Sequence, residues 1–256
     1  MRTRTSDWAV RWTPAPDAPL RLFCVPHSGG GAATFRRWAG YLAPEIEVVA
    51  IRLPGRETMF REPAFHHAEE AVPPLLDAVA PLLDRPFAWL GHSMGAVVAF
   101  EACRAVGRVA DPGLLRRLVV AARPAPHLAG DAPVLHDAPT EEFLAGLDAL
   151  NGTPAELRAD ERMLRTFLPT LRADFHIVET YAPGPGPLLE CPVSAYGGRG
   201  DAVATAEQLA GWSDYTSGPC AVEMFPGAHF FVHEHRELVL DRIAALLAPV
   251  REANAR

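Results

Sequence analysis

Six short apolar runs, each closed by turn residues, punctuate the chain: PLRLFCVP (19–26), IEVVAIRLPG (46–55), FAWLGH (87–92), LRRLVVAA (115–122), CPVSAYGG (191–198) and CAVEMFPG (220–227). Their richness in Val, Leu and Phe predicts buried strands. Between and after them lie segments of helical period, among them AEEAVPPLLDAVAPLL (68–83), AVVAFEACRAV (96–106) and HRELVLDRIAALL (235–247). Parallel strands need crossover connections, so this alternation predicts an α/β fold: a mostly parallel sheet flanked by helices on both faces.

The alternation breaks from about Arg123 to Pro187, where no strand is predicted. Two helical stretches stand there instead, TEEFLAGLDAL (140–150) and ERMLRTFLPTLRADFHIVETY (161–181), framed by RPAPH (123–127) and PGPGP (183–187). This reads as a helical insertion, at approximately 123–187, within one domain spanning 1–256. Its apolar stripes, Phe143, Leu147 and Leu150 on one stretch and Leu164, Phe167, Leu168, Leu171 and Phe175 on the other, are read first as packing surfaces. A lid lining an acyl pocket is the alternative, and it requires chemistry beneath.

Composition narrows that chemistry. All 24 basic residues are Arg, so Schiff bases, a P-loop lysine and Ser-Lys dyads are excluded. The net charge of −7, without a run of like charges, argues against a nucleic-acid partner. The N-terminal MRTRTSDWAVRWTP has no apolar signal core and no stretch is long enough to span a bilayer, so a cytoplasmic protein is expected. Cys24, Cys103, Cys191 and Cys220 are scattered, without C-x-x-C spacing, and read as free thiols. His233-Glu234-His235 does not place two imidazoles on one helix face, and His66-His67 has no partner at ligand spacing. No metal and no cofactor are expected.

The sharpest motif is Gly91-His92-Ser93-Met94-Gly95, a G-x-S-x-G between a predicted strand and a predicted helix. In that context it reads as a nucleophile elbow, a tight turn with no room for side chains beside the serine. A serine hydroxyl needs a base held by an acid, and in this architecture the chain order is Ser, Asp or Glu, then His. Asp201, at the end of GGRGD (197–201), and His229, in PGAHF (226–230), each follow a late strand in that order. The oxyanion needs two backbone N–H donors. Met94 offers one; the loop His27-Ser28-Gly29-Gly30-Gly31 offers the other, from Ser28 or Gly29.

The segments PHSGGGAATFRRW (26–38), LPGRE (53–57), GHSMGAVVAFE (91–101), LRADFHIVETY (171–181), CPVSAYGGRGD (191–201) and FPGAHFFV (225–232) resemble the type II thioesterases that accompany polyketide synthases and nonribosomal peptide synthetases. The resemblance runs from about residue 20 to 247 and implies the α/β-hydrolase fold with a helical lid. It implies Ser93 as nucleophile, His229 as general base, Asp201 as its orienting carboxylate, and the N–H groups of Ser28 and Met94 as oxyanion hole. One departure is Gly200, where the family often has a second acidic residue. The implied reaction is hydrolysis of acyl thioesters on the phosphopantetheine arm of acyl or peptidyl carrier domains, an editing role played in trans by a monomer. Such carriers are usually acidic, so a chain of net charge −7 must dock through a local Arg patch or apolar contacts. A carboxylesterase or acyltransferase using the same triad is the competing expectation, and a catalytically silent binding protein of the same fold is a third.

Overall fold

The computed structural model describes residues 5–128, 134–149 and 161–248. Its seven strands are β1 (Ala9–Val10), β2 (Leu20–Val25), β3 (Ile46–Ile51), β4 (Phe87–His92), β5 (Leu115–Ala121), β6 (Val193–Gly198) and β7 (Cys220–Phe225). They form one sheet in the order β1-β3-β2-β4-β5-β6-β7. Every neighbouring pair is parallel except β1 with β3. All six sequence-predicted strands are present. The seventh, β1, has only two residues and is too short to carry a readable period.

The helices are α1 (Thr5–Trp8), α2 (Arg36–Leu42), α3 (Ala68–Val79), α4 (Met94–Ala105), α5 (Thr140–Ala149), α6 (Glu161–Thr180), α7 (Ala206–Ala210), α8 (Phe231–Glu234) and α9 (Arg236–Leu247). Because side chains alternate along a strand, the central strands feed two separate cores. Phe23 and Val25 of β2, Phe87 and Trp89 of β4, and Leu118 and Val120 of β5 face α3 and α4. Leu22 and Cys24, Ala88 and Leu90, and Val119 and Ala121 face α2 and α9. Burial on both faces is why these strands read as continuous apolar runs rather than alternating ones. The two charges buried in β2 and β3 cancel: Arg21 lies opposite Glu47 in the ladder, and its Nε donates to that carboxylate at 2.6 Å.

Between β5 and β6 the described residues hold α5 and α6 and no strand. The expected insertion 123–187 includes residues 129–133 and 150–160, Leu150 among them, which lie outside the described residues. Phe143 and Leu147 of α5 pack with Leu171 and Phe175 of α6 in a small cluster of their own, apart from the two sheet cores. The far end of α6 is tied down: Ile177 and the following Tyr181 join the core beside α4, and the Tyr181 hydroxyl donates to Glu101 at 2.5 Å. The insertion is therefore anchored at its root near α4 and has a separate apolar interior.

The turn from β4 into α4 depends on two glycines. A Cβ on Gly91 would collide with the Gly95 carbonyl, and one on Gly95 with the carbonyls of Val25 and Pro26 at the end of β2. Gly40, in α2, has nothing within 4 Å of a would-be Cβ. Gly95→Ala is expected to lose at least about 2–3 kcal/mol of stability through overpacking. Gly40→Ala should gain about 0.5–1 kcal/mol from helix propensity and reduced unfolded-state entropy. Urea unfolding of the two variants checks both signs.

Candidate active site

Ser93 sits where β4 gives way to α4, at φ 54 and ψ −114. A non-glycine residue at positive φ costs about 1–3 kcal/mol and persists only where its surroundings hold it. Here its own N–H donates to the Ala121 carbonyl at the end of β5, 2.8 Å away. Strand and helix thus meet at a sharp corner that lifts the hydroxyl to the carboxyl edge of the sheet, partly exposed.

The loops after β6 and β7 bring the other two predicted residues to that corner. His229 Nε2 lies 3.1 Å from Ser93 Oγ, and His229 Nδ1 lies 2.9 Å from Asp201 Oδ2. The Asp201 carboxylate accepts through Oδ1 from the Val203 N–H at 2.9 Å. Burial pushes the Asp201 carboxyl up, but the hydrogen bond and charge of His229, with the N–H groups of Val203 and Ala204, outweigh it and the net shift is downward. Gly200 donates its N–H to the Gly227 carbonyl at 2.8 Å, binding the Asp201 loop directly to the His229 loop. A line of serine, imidazole and ionised carboxylate at these distances is competent for nucleophilic acyl transfer.

The loop after β2 closes the other side. The sequence leaves two amides open there, Ser28 and Gly29. The Gly29 N–H is engaged, donating to Asp174 Oδ2 of α6 at 2.7 Å, and the Gly30 N–H donates to the His27 carbonyl at 2.9 Å. Of the two, Gly29 is the amide committed to a side chain of α6. Gly29 needs its glycine: φ is +76, and a Cβ would strike Leu171 of α6.

Sequence reasoning missed what holds this loop. Arg56 reaches from the loop after β3 and binds Asp174 through both terminal nitrogens, at 2.9 and 2.8 Å, and donates to the Gly30 carbonyl at 3.0 Å. Arg56 and Asp174 are 4% and 1% exposed, so this is a buried, bidentate ion pair in which the carboxylate also carries Gly29. Thr170, one turn earlier on α6, donates to the Gly55 carbonyl at 3.0 Å. Glu57 accepts from the Ala33 N–H at 2.8 Å and is held by Arg52 at 2.7 Å. The signal was present in LPGRE and RADF: an Arg in a loop and an Asp on the apolar side of a helix invite pairing.

Behind His229 stand three further imidazoles, of His27, His92 and His233. His92 is fully buried, and its Nε2 donates to the His229 carbonyl at 2.9 Å. Burial, then the neighbouring imidazoles, hold His92 well below the ordinary histidine range; burial lowers His27 to about 3 and His233 to about 4.

A mostly parallel sheet with a strand-to-helix elbow serine, and an acid and a histidine on later loops, defines an α/β-hydrolase. The chain belongs to the thioesterase family, whose thioesterase-domain profile matches residues 20–247. It is therefore a hydrolase acting on thioesters. It is 36% identical over 251 residues to gramicidin S biosynthesis protein GrsT of Aneurinibacillus migulanus, covering 96% of this chain and 98% of that protein. It is 35% identical over 250 residues to thioesterase PikA5 of Streptomyces venezuelae, covering 96% of this chain and 87% of that one. Among solved structures it is similar to the type II thioesterase BorB from the borrelidin biosynthetic cluster, with a TM-score of 0.81, 37% identity, and coverage of 93% of this chain and 96% of the other. Among the described residues no helix is long and apolar enough to cross a membrane.

Removing one partner of a buried ion pair leaves the other charge uncompensated. Asp174→Ala is expected to lower stability by about 3–5 kcal/mol, whereas exposed Glu207→Ala should change it by less than about 1 kcal/mol. Denaturant unfolding measures both, and equal small losses would contradict the brace.

Proposed function

We propose that this protein hydrolyses acyl thioesters held on the phosphopantetheine arm of acyl or peptidyl carrier domains, clearing aberrant or stalled groups in polyketide or nonribosomal peptide assembly. The observation that carries the reading is the contact line from Ser93 Oγ through His229 to Asp201, at 3.1 and 2.9 Å. Ser93 Oγ attacks the thioester carbonyl while His229 Nε2 takes its proton. The oxyanion accepts from the N–H groups of Ser28 and Met94. Collapse breaks the C–S bond, the thiolate leaves with the proton from His229, and the acyl group stays on Ser93. Water then attacks, giving its proton to His229, and a second collapse frees the acid and restores the Ser93 hydroxyl. Asp201, held ionised, fixes the Nδ1–H tautomer and stabilises the imidazolium.

In this reading α5 and α6 form a lid over the cleft, its underside including Leu171 above Gly29. The enzyme acts in trans as a cytoplasmic monomer, without a cofactor of its own. Support comes from the relatives' names, which place GrsT in gramicidin S biosynthesis and BorB among type II thioesterases of a borrelidin cluster.

Steady-state hydrolysis of an acyl-carrier thioester should exceed that of a simple ester of the same acid; a preference for the free ester would instead establish a carboxylesterase. Ser93→Ala should abolish turnover and Asp201→Asn should lower kcat by about 10⁴-fold. Turnover surviving in Ser93→Ala would reject the mechanism.

A further inference from the structure

His27, His92 and His233 come from three distant stretches: the loop after β2, the end of β4 and helix α8. No spacing rule joins them, which is why the sequence offers no metal motif. In the fold each offers a ring nitrogen, and these donor atoms lie within 4.8 Å of one another. Three ring nitrogens there, His27 Nδ1, His92 Nδ1 and His233 Nε2, are buried with no protein partner. Buried polar atoms are almost always satisfied, so three such nitrogens gathered in one place point to a shared ligand.

We propose that His27, His92 and His233 form a binding site for a divalent transition-metal ion of the zinc class. The ring centroids stand 5.1, 5.4 and 5.5 Å apart, close to an equilateral triangle. Imidazole nitrogens about 2.0–2.1 Å from a tetrahedral ion place their ring centres about 5 Å apart, so the triangle already has the needed size. The donor nitrogens, within 4.8 Å of one another, would have to close to about 3.3 Å around the ion. His92 is set up as a ligand should be: its Nε2–H donates to the His229 carbonyl, which leaves a lone pair on Nδ1. The Phe230 ring, 5.1, 5.6 and 6.2 Å from the three rings, covers one side, and a water would complete a tetrahedron. His27 and His233 are partly exposed, so the ion has a route in.

The site would brace rather than react. It joins the loop carrying Ser28, the strand leading to Ser93 and the helix just after His229, so an ion there fixes the three segments relative to one another. The ion would enter no step of the proposed reaction.

The test uses the full chain, stripped with a chelator and titrated with Co²⁺, followed by visible absorption and by equilibrium dialysis. One tightly bound Co²⁺ per chain with intense tetrahedral bands is expected, together with a rise in thermal midpoint. His233→Ala, a partly exposed position, should weaken binding by about 10–100-fold and remove the bands. Should that variant misfold by circular dichroism, His27→Gln replaces it. His66→Ala/His67→Ala, which removes an exposed pair elsewhere, should leave binding intact. Absence of a stoichiometric site in the wild-type chain would overturn the proposal, showing that water alone satisfies the nitrogens. So would octahedral bands, or binding lost in the His66/His67 variant and kept when the cluster is changed.

Discussion

Ser93 is held at a positive φ that its side chain disfavours, and the arrangement around it exists to keep it there. Gly91 and Gly95 let β4, α4 and the end of β2 approach at backbone distance, and the Ser93 N–H is fastened to β5. The elbow is thus wedged at the centre of a parallel sheet, and the loops after β2, β6 and β7 converge on it because all those strands end on the same edge. Only that common edge can gather residues as far apart in sequence as 28, 93, 201 and 229. The strain is sustained by the two cores that clamp the sheet from either face.

A second dependency runs from the insertion to the loop beside Ser93. Asp174 lies on α6, yet its carboxylate holds the Gly29 N–H and the Arg56 guanidinium together. The orientation of the Ser28 amide is therefore tied to the seating of α6. In the proposed reaction this makes the lid more than a cover: displacing α6 would release Gly29 and loosen the donor pair for the oxyanion. Thr170 and Leu171 add an anchor on Gly55 and a contact over Gly29, so the coupling does not rest on one bond.

Much of this is legible in the sequence. Strands buried on both faces leave unbroken apolar runs, so all six longer strands and the serine elbow could be read directly. Asp201 and His229 were found because the architecture fixes their order, and each lies just past a recognisable strand. What escaped has a common cause. β1 is two residues long and is defined by pairing with β3 rather than by its own pattern. Arg56 and Asp174 are 118 residues apart, and only the fold makes them partners. That same unseen carboxylate engages the Gly29 amide, one of the two the sequence left open in the loop after β2. His27, His92 and His233 likewise converge without any periodic relation.

In the proposed reaction, strain, sheet topology and the His229 imidazole 3.1 Å from its hydroxyl make Ser93 the nucleophile. A fluorophosphonate probe reports this without a natural substrate, because it phosphonylates a serine only where a base activates the hydroxyl. Intact-mass measurement after brief exposure, followed by peptide mapping, should find one adduct per chain, on Ser93, and far slower labelling once the chain is unfolded. An adduct on another residue, or an unlabelled Ser93 in a chain that still turns over thioester, would contradict the account.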